Sequence, residues 1–156
     1  MDPSQTRLDR EKLCVYLLEA EERLRFNKIG GMYPDVGQLA RYKYPKHLEF
    51  FAAGRRFRQR AFMAANRVGK TEGGGGYEAV LHLTGQYPLW WNGKKFNKPV
   101  RGWVVGDTLK TVREILQYKL LGDIDNIGTG LIPKSRIISV ARMAGVTGAI
   151  DNKPTS

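Results

Sequence analysis

The chain has 156 residues, enough for one domain with its own core, and 42% of them are hydrophobic. No apolar run is long enough to cross a bilayer, Met1-Asp2-Pro3-Ser4-Gln5 lacks a basic-then-apolar leader pattern, and the lone Cys14 cannot make an internal disulfide. These features exclude a membrane span and a disulfide framework and suit a reducing cytoplasm, while the net charge of +11 favours a polyanionic partner, most often nucleic acid.

Residues 7–26 read as an amphipathic helix, with Leu13, Leu17, Ala20 and Leu24 at three- and four-residue spacing, Thr6 able to cap its start and Gly30-Gly31 ending it. Cys14 falls on the apolar face and reads as packing rather than as a nucleophile. The first 25 residues are nearly balanced in charge, so the rest of the chain carries the excess. Tyr33-Pro34-Asp35-Val36-Gly37 is turn-rich. Pro45 opens a short helix that runs to Ala53 and stops at Gly54. Two basic stretches, Arg41 to Arg60 and Lys94 to Arg101, are interleaved with aromatic residues. Within them Arg55, Arg56, Arg58, Lys94, Lys95 and Lys98 are candidates for contacts to nucleic acid. Solubility, or the need of a nucleotide site for cations, would account for the same charges.

The apolar run Ala61-Phe62-Met63-Ala64-Ala65 reads as a buried strand and leads into Asn66-Arg67-Val68-Gly69-Lys70-Thr71. A helical pattern, Glu78 to Leu83, follows. Strand, Gly-Lys-Thr and helix in that order are the parts of a phosphate-binding loop. Backbone N–H groups at the helix start face phosphate oxygens, the lysine reaches the β- and γ-phosphates, and the threonine hydroxyl holds Mg²⁺. Residues Ala64, Ala65, Asn66, Arg67, Val68, Gly69, Lys70 and Thr71 are therefore candidates to bind the phosphates of a nucleoside triphosphate, which the resemblance described below makes ATP, with Thr71 as the Mg²⁺ ligand. Ala64 stands where the strict motif has its first glycine. The glycine run Gly73-Gly74-Gly75-Gly76 weakens a helix by roughly 1 kcal/mol per residue relative to alanine. Either those residues pack very closely against something or that helix start is loose.

Trp90 and Trp91 read as core anchors in a loop. Val100 to Val105 reads as a second strand, Leu109 to Leu121 as a helix capped by Thr108 and ended by Gly122, and Ile137-Ile138-Ser139-Val140 as a third strand. Alternating elements of this kind predict an α/β fold, a parallel sheet flanked by helices of the P-loop NTPase type. The division expected is an N-terminal helix over residues 1–30 and, by the resemblance that follows, the N-terminal portion of a P-loop ATPase domain over residues 31–156.

Several of these segments together resemble the start of a tailed-phage terminase large subunit. They are Tyr44-Pro45-Lys46-His47-Leu48-Glu49-Phe50-Phe51, Phe62 to Thr71, Leu81 to Trp91, and Trp103-Val104-Val105-Gly106-Asp107-Thr108. The resemblance runs from about Tyr33 to Asp151. It implies an ATP-driven motor that moves double-stranded DNA into a capsid, with the capsid portal and the small terminase subunit as partners, acting in the host cytoplasm. It implies that Arg67 approaches the γ-phosphate as a catalytic charge stabiliser, a task that suits the planar guanidinium fork. It places adenine near Tyr44 to Phe51 and makes Gly106-Asp107-Thr108 a strand end that couples to DNA. Such loops often lack the first glycine and carry an arginine before Gly-Lys, as here.

ATP hydrolysis also needs an acidic residue at the end of an apolar strand. After Thr71 no apolar run ends in an acidic pair, since Asp107 is followed by Thr108, and Asp123 and Asp125 lie in a glycine-flanked loop. The resemblance places that acidic pair and a nuclease domain beyond Ser156, so the chain is expected to bind ATP and to turn it over poorly alone. The alternative is a non-enzymatic basic module for DNA binding or packaging assembly.

Overall fold

The computed structural model describes residues 3–140. Helix α1 (Pro3–Phe26) is followed by a 3₁₀ turn, Lys28–Gly31, and a second 3₁₀ turn, Arg41–Lys43, leads into α2 (Pro45–Ala53). A π-helical segment, Lys70–Gly76, runs without a break into α3 (Tyr77–Thr84). A last helical stretch comprises α4 (Leu109–Thr111), a π segment Val112–Gln117 and α5 (Tyr118–Leu121). A final 3₁₀ turn covers Lys134–Arg136.

Local signals fix most helix ends. Pro45 opens α2 with its fixed φ, and Gly54 follows its last residue. Gly85, at φ 70°, and Gly122, at φ 93°, end α3 and α5 in conformations that tolerate no Cβ cheaply. Thr108 caps α4, its Oγ1 accepting from Thr111 N–H at 3.1 Å. Helix α1 begins at Pro3, so Thr6 lies inside it rather than at its cap, and it ends at Phe26, before the glycines.

The expected parallel sheet is absent. Among the described residues there is no strand. Residues 61–65, 100–105 and 137–140 carry the apolar patterns of strands, but none pairs with another segment. Several of their large side chains stand open, Met63, Trp103, Val105 and Ile138 among them. The reason is that a strand is a property of two segments. An apolar run supplies the side-chain pattern, but a ladder needs a second backbone in register, and no described segment provides one. The tail from Asn152 to Ser156, and the last part of the resemblance up to Asp151, lie outside the described residues.

An aromatic cluster forms the core instead. Phe51 of α2, Tyr77, Val80 and Leu81 of α3, and Tyr33, Trp91 and Leu131 from loops are all buried. Phe51 and Trp91 lie 4.8 Å apart and Tyr33 and Tyr77 4.9 Å, ring centroid to centroid. Trp91 is buried and Trp90 packs against the cluster, so both serve as core anchors. The described leucines of α1 do not join them. Leu13, Leu17 and Leu24 are exposed, and so is Cys14, contrary to the packing role expected of it. A helix pattern says which residues share a face, not whether another element covers it.

Candidate phosphate loop and its surroundings

The stretch from Ala64 to Thr71 forms a turn that enters the helix at Lys70. The carbonyl of Gly69 accepts from two amides, Gly73 N–H at 2.7 Å and Gly74 N–H at 3.0 Å. It is thus the first accepting carbonyl of the helix, and the amides of Lys70, Thr71 and Glu72 have no partner inside it. Gly69 has φ 79° and Arg67 φ 63°, so the chain reverses through two left-handed residues. Glycine adopts that conformation freely. Arginine does so at a cost of order 1–3 kcal/mol, which persists only where the surroundings impose it.

Lys70 is half-buried and folds back across the turn, its Nζ donating to the carbonyl of Ala64. Ala64 is also half-buried, while Ala65, Asn66, Arg67, Val68 and Thr71 are exposed. The helix dipole and free amides make the turn electropositive. A cleft of about 410 Å³ opens beside it, lined by Lys43, Tyr44, Lys46, His47, Arg67 and Gly69 among others. The rings of Tyr44 and His47 are stacked, 5.4 Å apart and 27° from parallel.

Two buried side chains that the sequence did not single out hold this turn from behind. The Tyr33 hydroxyl donates to the Gly73 carbonyl at 2.7 Å, and its oxygen lies 2.5 Å from Nδ1 of His47. His47 Nε2 lies 3.1 Å from the Val68 carbonyl. Burial lowers the pKa of His47, although the contact to Val68 works the other way. Burial raises that of Tyr33, helped by Tyr77 and Tyr44. The signal that could have found them is weak: a tyrosine before a proline, and a histidine in the segment that opens α2.

The glycine run is closely packed rather than loose. A Cβ on Gly73 would meet the Tyr33 oxygen at 2.9 Å, one on Gly74 would meet Phe62 at 3.0 Å, and one on Gly76 would meet the Thr71 carbonyl at 2.5 Å. Only Gly75 of the four has room, with its nearest neighbour at 3.9 Å. Glu72 joins the loop helix to two distant elements. Its carboxylate pairs with Lys28, beyond α1, and with Lys119 of α5. Burial acts to raise the pKa of Glu72, but the hydrogen bonds and charges of Lys119 and Lys28 outweigh it and hold the carboxyl below the ordinary range.

The basic candidates divide. Arg55, Arg56 and Arg58 are exposed on the link after α2, and Lys94, Lys95 and Lys98 are exposed after the tryptophan loop. Arg60, in the same basic run, turns inward to Glu78. Lys94 sits 5.8 Å from the Phe96 ring centroid and Lys95 6.0 Å from that of Tyr87. Asp107 is exposed, and hydrogen bonding by the Thr111 side chain keeps its pKa low. Among the described residues no group of three or more His, Cys, Asp or Glu side chains could hold a metal ion. No helix among them is long and apolar enough to cross a membrane.

Comparison with known proteins bears out the resemblance of the sequence motifs to those of a terminase large subunit. The chain is 40% identical over 111 residues to the terminase large subunit of Salmonella phage P22, a match covering 62% of this chain. It spans 22% of the length of that relative. No family model matches the chain, and no solved structure does.

Proposed function

We propose that this chain is the nucleotide-binding opening of a viral DNA-packaging motor. Residues 64–71 would cradle the phosphates of ATP. Lys70 would leave the Ala64 carbonyl and reach the β- and γ-phosphates, and the Thr71 hydroxyl would hold Mg²⁺. Arg67 would meet the γ-phosphate, and the cleft beside Tyr44 and His47 would take the base. The observation that carries this reading is the turn itself. Free amides at the start of a helix, a lysine folded across them and two left-handed residues meet at the Gly-Lys-Thr sequence. The likeness to a terminase large subunit supplies the motor context.

In this reading the chain binds ATP and turns it over little by itself. The acidic residue beside Thr71, Glu72, is committed to Lys28 and Lys119, which leaves it poorly placed to activate water. The partners in such a motor would be duplex DNA, the capsid portal and the small terminase subunit. The test is binding of a fluorescent ATP analogue with Mg²⁺ to the wild type and to Lys70→Ala. Saturable binding weakened by the substitution supports the assignment; equal binding removes it.

A second reading rests on the exposed Arg55, Arg56 and Arg58 and the +11 charge. There the chain is a basic DNA-binding or assembly module and the loop binds no nucleotide. Salt-dependent duplex binding without ATP binding would favour it.

A further inference from the structure

We propose that Tyr33 and His47 are positioning residues for the phosphate loop, seated against both of its ends and holding one of them by hydrogen bond in each imidazole tautomer, so that the amides between stay aimed at phosphate. The inference rests on the nucleotide-binding reading and deepens it.

The geometry is that of a clamp. Its two anchor points are the carbonyls of Val68 and Gly73, which bracket Gly69-Lys70-Thr71. Tyr33 and His47 reach both from one side and touch each other at 2.5 Å. Both are buried, with 4% and 5% of their surface exposed, and so do not exchange these contacts for water. The loop is shaped to admit them. A Cβ on Gly73 would meet both the Tyr33 oxygen at 2.9 Å and His47 Cε1 at 3.1 Å, and one on Gly69 would meet His47 Cε1 at 3.3 Å.

Backbone strain points to the same place. Among the described residues two non-glycine residues have positive φ, Arg67 at 63° and Tyr33 at 57°. One lies in the loop and the other supplies the hydroxyl behind it. Tyr33 is held in that conformation by rings on several sides, including Tyr44, Phe51, Tyr77 and Trp90 at centroid distances of 4.9–5.8 Å. Strain that the surroundings over-determine in this way clusters where a group must be held in one position.

Proton counting shows how the clamp works. Both carbonyls can only accept, so the three contacts need three protons, and Tyr33 with a neutral imidazole supplies two. With the imidazole proton on Nδ1, the ring donates to Tyr33 and Tyr33 to Gly73, and the Val68 end lacks a proton. With it on Nε2, the ring donates to Val68 and Tyr33 to the ring, and the Gly73 end lacks one. The neutral clamp thus grips one end fully at a time, and loss of the tyrosine hydroxyl leaves the Gly73 end with no donor in either tautomer.

The test uses the full 156-residue chain and two variants, Tyr33→Phe, which keeps the ring and removes the hydroxyl, and His47→Gln, which keeps one amide donor. Each is measured for binding of ATP, of tripolyphosphate alone and of adenosine alone, at a temperature where circular dichroism shows it folded. The expected result is a loss of roughly two- to tenfold for ATP and tripolyphosphate in each variant, as for a lost hydrogen bond, with unchanged adenosine binding in Tyr33→Phe; His47 lines the cleft proposed for the base, so its variant is read on tripolyphosphate. A merely structural role would weaken all three ligands alike in Tyr33→Phe, and that outcome overturns the inference. So does wild-type affinity for tripolyphosphate in both variants. Amide hydrogen exchange gives a readout without ligand. Faster exchange at Gly73 and Gly74 in Tyr33→Phe, with the rest of α3 unchanged, supports the clamp, and unaltered exchange there counts against it. Lys70→Ala separates the two levels. If it binds ATP as the wild type does, the nucleotide reading itself fails; if it is weakened while Tyr33→Phe and His47→Gln are not, only the clamp fails.

Discussion

Arg60 Nη2 donates to Glu78 Oε2 at 2.9 Å, and this pair closes the joint between α2 and α3. Glu78 is almost fully buried, its side chain 5% exposed, while Arg60 keeps 19%. Arg60 also donates to the Phe50 carbonyl at 2.5 Å and lies over the Phe50 ring at 4.4 Å. His82 Nε2 faces the other Glu78 oxygen at 3.5 Å. A residue that reads as one more charge in a basic run is thus a structural anchor. Arg60→Ala leaves a buried carboxylate without its main partner and should cost about 3 kcal/mol, the lower end for a broken buried pair. Replacing both members, as Arg60→Met with Glu78→Leu, should recover much of that loss. Urea denaturation of the three proteins is the measurement, and a double variant no better than Arg60→Ala would refute the account.

Lys70→Ala removes a charge-assisted phosphate contact worth about 1.5–3 kcal/mol, which is roughly a tenfold to hundredfold loss in ATP affinity. Lys70→Arg should not restore it fully, because a planar fork does not replace a compact ammonium that reaches the phosphates from the turn. Titration of a fluorescent ATP analogue with each protein decides the point.

The glycines following Thr71 should differ sharply from one another. Gly75→Ala meets nothing closer than 3.9 Å and should stabilise the chain by about 0.4–1 kcal/mol through the unfolded state. Gly76→Ala would bring its Cβ to 2.5 Å from the Thr71 carbonyl and should destabilise. Thermal denaturation of the two variants side by side reads the contrast; similar shifts in both would show that the packing around the run is not as close as described.

The sign of the pH effect at Glu72 follows from its depressed pKa. A carboxyl whose folded pKa lies below its unfolded value contributes stability that is fully present above the unfolded value, here 4.5, and is lost as pH falls through the folded one. Acidification from neutral pH to below that range should therefore lower the melting temperature more in the wild type than in Glu72→Gln, which has no carboxylate to protonate. Parallel pH profiles for the two proteins would show that the bridges to Lys28 and Lys119 contribute nothing.

If Arg55, Arg56 and Arg58 contact duplex DNA, binding should be independent of sequence and steeply salt-dependent. Each phosphate contact contributes a slope of about −0.9 in log K against log salt, so alanine at all three should reduce the slope by up to about three units. Arg60 is left out of this set because it is committed to Glu78. A salt titration that gives the same slope for wild type and triple variant would leave the exposed arginines without a role in DNA binding.

The sequence by itself determined the features that depend on neighbours along the chain. Pro45 and Gly54 bound α2, Thr108 caps α4, and Gly122 ends α5, because proline geometry, a capping hydroxyl and a left-handed glycine act within a few residues. The Gly-Lys-Thr turn was legible for the same reason, and so was the likeness to a terminase large subunit, which rests on the order of short motifs. Tertiary structure decided everything that needs two distant segments. It left residues 61–65, 100–105 and 137–140 unpaired among the described residues, since an apolar pattern cannot supply its own ladder. It left the apolar face of α1 open and took Arg60 out of the basic surface. It also brought Tyr33 and His47, 14 residues apart, to 2.5 Å from each other behind the loop. No local pattern encodes that meeting, because it arises from the way a turn, α2 and the aromatic core close on one another.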